Sequence, residues 1–268
     1  MHGAEASGVL SRLKTRTVVV VPCYNESGRF SAQTFIDFSV AHRDIGFLLV
    51  DDGSTDRTRG LLESLQKSDP SSFSVLSLER NAGKGEAVRQ GLLRAFLFEP
   101  AFVGYWDADL ATPLNELPEF ISILSEDSSV FLVMGSRVQR LGSRISRSLW
   151  RHCIGRIFAS LASSALRLSV YDTQCGAKLM RVDQVLRDSL LVPFNGRWIF
   201  DVELIQRLLQ KRRHCSFSRL AISNDLGIVE VPLVRWVDVP GSKVRATDGL
   251  NAFLGLVRLW IKTRIYRN

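Results

Sequence analysis

Five short runs of apolar, largely β-branched or aromatic residues recur along the first half of the chain. They are 17–22 (TVVVVP), 46–50 (GFLLV), 74–78 (SVLSL), 101–106 (AFVGYW) and 130–134 (VFLVM). A continuous apolar run of this length is the pattern of a strand buried on both faces. Between the runs, residues 30–42, 56–67, 84–98 and 115–126 read as helices. Strand and helix in alternation predict an α/β fold with a mostly parallel central sheet and helices on both faces. Ligands of such sheets sit at the carboxyl ends of the strands. Polar clusters stand at those ends: CYNES, DDGSTD, DAD and GSR.

The pattern changes after Arg137. Residues 143–168 and 197–211 read as helices, 228–237 as a strand and 248–265 as an amphipathic helix. With 268 residues, 46% of them hydrophobic and 23% charged, the chain is globular. The expected division is a tail at 1–16, one catalytic domain at 17–245 that includes an amphipathic interface helix at 143–168, and a C-terminal amphipathic helix at 246–268. The four cysteines are scattered, which argues against a zinc site or a disulfide scaffold. No stretch offers about 18 uninterrupted apolar residues, the length a spanning helix needs.

The net charge of +8 hides an asymmetry. Residues 1–136 carry 12 Lys or Arg against 18 Asp or Glu, whereas 137–268 carry 23 against 9. The basic half is either a solvated surface or a face for polyanions or an anionic membrane. An acidic first half excludes a nucleic-acid partner as the reading of the high isoelectric point.

Asp107-Ala108-Asp109 closes the fourth apolar run. Two carboxylates two residues apart at a strand end can approach one cation, and Mg²⁺ or Mn²⁺ takes oxygen ligands and keeps a phosphate in its shell. The plainer alternative, a helix cap plus a turn aspartate, leaves the neighbouring acidic clusters unexplained. In DDGSTD, Gly53 allows a tight turn and Ser54 or Thr55 can cap a helix. Capping does not explain Asp51 beside Asp52, and a carboxylate there can accept hydrogen bonds from a nucleobase imide or a ribose hydroxyl. The PCYNE cluster, by itself, is a strand-ending turn.

Together VPCYNE, VDDGSTD, NAGKGEAVRQG and DAD, in this order, resemble the family 2 glycosyltransferases of the GT-A fold. The distal segments DTQCG (172–176), RWIFDVEL (197–204) and WVDVPGSK (236–243) are similar to dolichyl-phosphate β-glucosyltransferases, with the mannosyltransferases as close relatives. The resemblance implies roles. Pro22, Tyr24 and Glu26 would line the nucleotide pocket, and Asp51 or Asp52 would hold the uracil or ribose. Lys84 would sit near the nucleotide. Asp107 and Asp109 would carry a divalent cation and, through it, the diphosphate. Asp172, Gln174 and the 197–203 segment, with Arg197 and Trp198, would face donor sugar and acceptor. Lys243, after Gly241 and Ser242, would cap the diphosphate. Mannosyltransferases commonly place Gln two residues after the second metal Asp; this chain has Ala111 there, then Thr112.

The implied reaction moves a hexose from a nucleotide sugar to a polyprenyl phosphate with inversion. Glucose from UDP-glucose is favoured, with mannose from GDP-mannose second. A phosphate nucleophile is already ionised and needs no dedicated base; a glycan hydroxyl would need one, and Asp201 is the candidate. Relatives of this kind usually begin with a membrane anchor, whereas here the first strand starts at Thr17, so a peripheral protein on the cytoplasmic side of a membrane is expected. Arg137, Arg140, Arg144, Arg147 and Arg151 are spaced three and four apart, which from Ser143 would align them on one helix face. Such a helix could lie on an anionic membrane and hold the acceptor phosphate. The alternative is a packed helix with its charges in water. Failing both this stripe and the C-terminal helix, a separate anchoring subunit is expected.

Overall fold

The computed structural model describes residues 15–146, 149–196, 199–215 and 227–239, together with Gly255 and Val257. A seven-stranded sheet forms its centre. The strands are β1 (Thr17–Cys23), β2 (Ile45–Asp51), β3 (Phe73–Ser77), β4 (Phe102–Trp106), β5 (Leu132–Ser136), β7 (Ala177–Arg181) and β8 (Ile228–Pro232), in the spatial order β3-β2-β1-β4-β7-β5-β8. A separate parallel pair joins β6 (Arg144–Ser146) to β9 (Arg235–Val237). The helices are α1 (Ala32–Ala41), α2 (Thr58–Ser68), α3 (Lys84–Ala95), α4 (Leu117–Glu126), α5 (Leu149–Leu166), α6 (Gln184–Ser189) and α7 (Phe200–Cys215).

The five apolar runs all became strands; β1, β2, β4 and β5 bury both faces, while β3 lies at the sheet edge and is half-buried beyond Phe73. Val18, Val20, Leu48 and Val50 pack against α3 and α7 on one side, and Val19, Val21, Phe47 and Leu49 against Phe35, Leu62 and Phe120 on the other. A fully buried valine or leucine contributes about 1.5–3 kcal/mol, so the first two strands alone anchor the sheet. The order reverses between β1 and β4, which opens a crevice at their carboxyl ends.

Three elements differ from the sequence reading. Strand β7 was not foreseen. It runs antiparallel between β4 and β5, with Ala177 opposite Trp106. Its five residues are too short and too mixed (AKLMR) to announce a strand, and Lys178 interrupts the apolar run. Second, the 228–237 strand is two strands. The chain leaves the main sheet at Leu233, where the buried Glu116 carboxylate accepts the N–H groups of Val234 and Arg235, each at 3.0 Å.

Third, no helix begins at 143. Gly142 turns the chain at φ +85°, and Arg144 donates its N–H to Val234 O at 2.8 Å, so 144–146 is a strand and the helix starts at Leu149. Tertiary pairing with β9 overrides the helical spacing. The arginines therefore do not share one helix face: Arg137 follows β5, Arg140 lies in a turn and Arg144 in β6, while Arg151 stands in α5 and Arg147 is outside the described residues. Of the predicted 248–265 helix, only Gly255 and Val257 are described, and both are helical. Among the described residues no helix is long and apolar enough to cross a membrane.

Candidate active site

The loops after β1, β2 and β4 meet at one edge of the sheet. The first two are laced together. Asn25, at φ +49°, donates its N–H to Ser54 Oγ at 3.0 Å and accepts Thr55 N–H at 2.8 Å. Glu26 N–H reaches Thr58 Oγ1 at 2.7 Å. The Glu26 carboxylate is buried and pairs with Arg29, whose raised pKa comes from the Glu26 hydrogen bond, with Asp109 and Asp107 adding to it. Arg29 thus belongs to the site's electrostatics, although no motif marked it. Pro22 stands one residue before the end of β1, opposite Val50, and Tyr24 opens the loop that follows.

Asp51 and Asp52, equally ambiguous in sequence, have different jobs. The Asp52 carboxylate accepts N–H bonds from Ala82 at 2.7 Å and Gly83 at 2.9 Å, and one from Asn81 Nδ2 at 3.1 Å. It is the post that holds the loop leading into α3, and so places Lys84 at the first position of that helix. The close seat of this loop also explains Gly53: a Cβ there would come within 2.4 Å of the Arg80 carbonyl carbon, and φ is +65°. Asp51, among the described residues, accepts Ser54 N–H at 3.1 Å and has Arg59 3.9 Å away.

Asp107 emerges from β4 with its N–H on Gly176 O at 3.0 Å, so the unforeseen β7 carries the loop 172–176 to the side of Asp107. Lys84 Nζ forms an ion pair with Asp107 Oδ1 at 2.5 Å. Burial works against the Lys84 charge, but Asp107, with Asp201 behind it, raises its pKa. The Asp109 carboxyl is pushed up by burial and by the like charge of Asp107. A divalent cation suits this pair: Lys84 already sits against Asp107, yet burial and the neighbouring like charge still push the Asp109 carboxyl up. Among the described residues no group of three or more His, Cys, Asp or Glu is arranged to hold a metal. The Asp107–Asp109 pair would therefore need substrate oxygens to complete a shell.

Two buried ion pairs flank this centre. Arg137 grips Asp172 with two hydrogen bonds, at 2.5 and 2.7 Å, and its guanidinium lies 5.4 Å from the Trp236 ring centre. The pairing raises the Arg137 pKa despite burial. Glu230 in turn accepts the N–H groups of Tyr171, at 2.8 Å, and Asp172, at 2.7 Å. So Arg137 clamps the Asp172–Gln174 loop rather than presenting an idle cation. On the other flank, Lys178, with no exposed surface, donates to Asp201 Oδ1 at 2.6 Å and to Cys175 O at 2.7 Å. Tyr105 donates to the same Asp201 oxygen. Neither Lys178 nor Tyr105 was singled out in sequence; each sits within an apolar strand and looks like core. Cys175, fully buried, has its thiol pushed up to about 11 by that burial, which makes it unreactive.

The structure thus brings together Pro22, Tyr24, Glu26, Asp51, Asp52, Lys84, Asp107 and Asp109 at one edge, with Asp172, Gln174, Arg137 and Asp201 beside them. Arg197, Trp198, Ser242 and Lys243 lie outside the described residues, as does the side chain of Arg151.

Comparison with known proteins agrees with this architecture. Residues 18–186 match the model of "Glycosyl transferase family 2". The dolichyl-phosphate β-glucosyltransferase of Saccharomyces cerevisiae is 30% identical over 93% of this chain and 76% of its own length. The polyprenol monophosphomannose synthase of Mycolicibacterium smegmatis is 26% identical over 87% of this chain and 82% of its own. Among solved structures, glucosyl-3-phosphoglycerate synthase from Mycobacterium tuberculosis, crystallised with Mn²⁺, UDP-glucose and phosphoglyceric acid, superposes with a TM-score of 0.59 at 21% identity, covering 92% of this chain and 80% of that one. A reversed strand order with paired carboxylates at its crevice, a family model spanning most of the sheet and relatives aligned along nearly the whole chain lead to one conclusion: this protein belongs to glycosyltransferase family 2.

Proposed function

We propose that this glycosyltransferase moves glucose from UDP-glucose to a polyprenyl (dolichyl) phosphate, with inversion at the sugar carbon. The observation that carries the acceptor class is Asp201. In a transferase acting on a hydroxyl it would be the base, yet its Oδ1 already takes Lys178 and Tyr105. That oxygen is thus already committed to two hydrogen bonds inside the protein. A phosphate oxygen needs no such help, since it is ionised at neutral pH. The names of the relatives support the same acceptor.

In this reading Asp51 accepts from the uracil or ribose, being the less engaged of the two neighbouring acids. Asp107 and Asp109 hold a divalent cation, Mg²⁺ or Mn²⁺, which when bound neutralises charge on the diphosphate. Lys84 adds a positive charge on the same side, and Lys243 would cap the leaving group from the 236–243 segment. The acceptor phosphate oxygen forms a bond to C1 as the C1–oxygen bond to the diphosphate breaks, and UDP departs. In-line geometry turns an α-linked donor into a β-linked product. Arg137 is a positioning residue for the Asp172–Gln174 loop, which faces the donor sugar. That leaves Arg147, Arg151 and Arg197 as the cations for the acceptor phosphate. The protein acts peripherally, on the cytoplasmic face of a membrane, alone or with an anchoring subunit.

The test is transfer of radiolabel from UDP-glucose into an organic-extractable product in the presence of polyprenyl phosphate. Label confined to the aqueous phase overturns the acceptor. Label that enters the lipid only from GDP-mannose overturns the donor, an outcome to which the likeness to a mannose synthase gives weight.

A further inference from the structure

We propose that the leading end of the β6–β9 pair is a wedge that enters an anionic lipid surface and sets the active site at headgroup depth. The inference deepens the polyprenyl-phosphate reading and rests on it. Because β6 and β9 run parallel, with Arg144 opposite Arg235, the turns that lead into both strands emerge at the same end. One turn, 140–143, is closed by Ser143 N–H on Arg140 O at 3.0 Å, and Gly142 at φ +85° lets it project. The other turn carries Val234. Their apolar side chains face outward: Leu141 has a relative exposure of 104% and Val234 of 52%. A shallow recess lies between the two turns.

Around these two side chains stand three exposed arginines, Arg140, Arg144 and Arg235. Arg140 is braced by a bond from Nη2 to Pro232 O at 3.1 Å. The nearby Glu116 carboxylate is turned inward onto the backbone of Val234 and Arg235. Glu119, three residues beyond Glu116 and exposed, is an acid close to that carboxylate. An acidic protein would match the arginines but leave an outstretched leucine in water. An anionic lipid interface matches both, taking the apolar tips below the headgroups and the guanidinium groups among the phosphates.

The wedge is tied to the chemistry. At the far end of β9, Val237 donates its N–H to Ala111 O at 3.2 Å, two residues beyond Asp109. From Val234 to Val237 an extended chain covers about 10 Å. Adding the step across to Ala111 and the two residues back to Asp109, a tip at the level of the lipid phosphates places the carboxylate pair within about 20 Å of that plane.

Co-sedimentation of the full chain with phosphatidylcholine vesicles, with and without phosphatidylserine, tests this. The wild type should pellet with the anionic vesicles. Leu141→Asp/Val234→Asp and Arg140→Glu/Arg235→Glu should each lower partition by about tenfold or more, the second effect being mimicked by high salt. Both variants should keep the UDP-glucose thermal shift and transfer to a short-chain, water-soluble polyprenyl phosphate. Should the double variant fold poorly, Leu141→Asp alone changes one fully exposed side chain and carries the same expectation. Equal pelleting of wild type and variants overturns the wedge, as does a dimer that dissolves on Leu141→Asp with vesicle binding intact. A failure of the acceptor reading looks different: the wild type pellets through Leu141 yet labels no lipid.

Discussion

Gly176 has no room for a side chain, since a Cβ there would stand 1.9 Å from Asp107 Oδ2. The obstructed atom is the end of a rotatable carboxylate, so Gly176→Ala should fold and swing that carboxylate aside. We expect its kcat to fall about 100-fold, as for Asp107→Ala, with a Tm close to wild type; transfer rates and thermal denaturation check both. Asp109→Ala should lose about 100-fold to 1,000-fold, and chelator should do the same to the wild type, because the paired charges act on a departing diphosphate. Retained transfer in Asp109→Ala would remove the cation from this pair. At this scale the places of the motif residues were legible in the sequence: the D-x-D follows the apolar run that is β4, and DDGSTD follows the run that is β2. Arg29, Tyr105 and Lys178 were not. Their roles depend on which chain segments come to lie beside them, and no spacing rule connects residue 105 with residue 201.

Between β2 and α3 the decisive contact is one carboxylate serving three donors. Asp52 binds Asn81, Ala82 and Gly83, and this fixes the start of α3 with its Lys84. Removing a buried acceptor costs about 1–3 kcal/mol for the donors left behind. Asp52→Ala should therefore lower stability by about 2–3 kcal/mol and raise the KM for the donor, read by denaturant unfolding and steady-state kinetics. If stability falls and KM does not, the loop is scaffold only. Elements built from local pattern were readable: β1, β2, β4 and β5, with the helices between them, fall within a few residues of expectation. Residues 143–146 were misread because a helical spacing of arginines persisted into a segment whose backbone is claimed by β9. Sequence periodicity reports which residues share a face only if the element exists, and Gly142 was the one local sign that it begins later.

The sheet as a whole was foreseen as mostly parallel, and six of its seven strands share one direction. Antiparallel β7 was invisible because a central strand flanked on both sides needs no turn signal of its own, and Lys178 disguises its apolar character. Its position also shows how the Asp172–Gln174 loop, expected near the site, comes to lie there: β7 starts opposite the end of β4.

The same strand bears on how the protein is made. As the chain leaves the ribosome, β1 to β5 can all emerge while the gap between β4 and β5 stays open, because its filler is encoded some forty residues after β5. Until 177–181 arrive, two strand edges lined by Phe102, Val103, Leu132 and Val133 are exposed, a hazard for intermolecular pairing. A nascent chain stalled at residue 170 should accordingly be protease-sensitive and prone to aggregate, whereas one stalled far enough on to release residue 190 should gain protection in β4 and β5 together. Protection of β4 before β7 is released would show that the front half closes without it. On the expected order, the backbone of Asp107 is fixed by Gly176 O only at that late step, so the nascent enzyme acquires its catalytic edge after most of its sheet has formed.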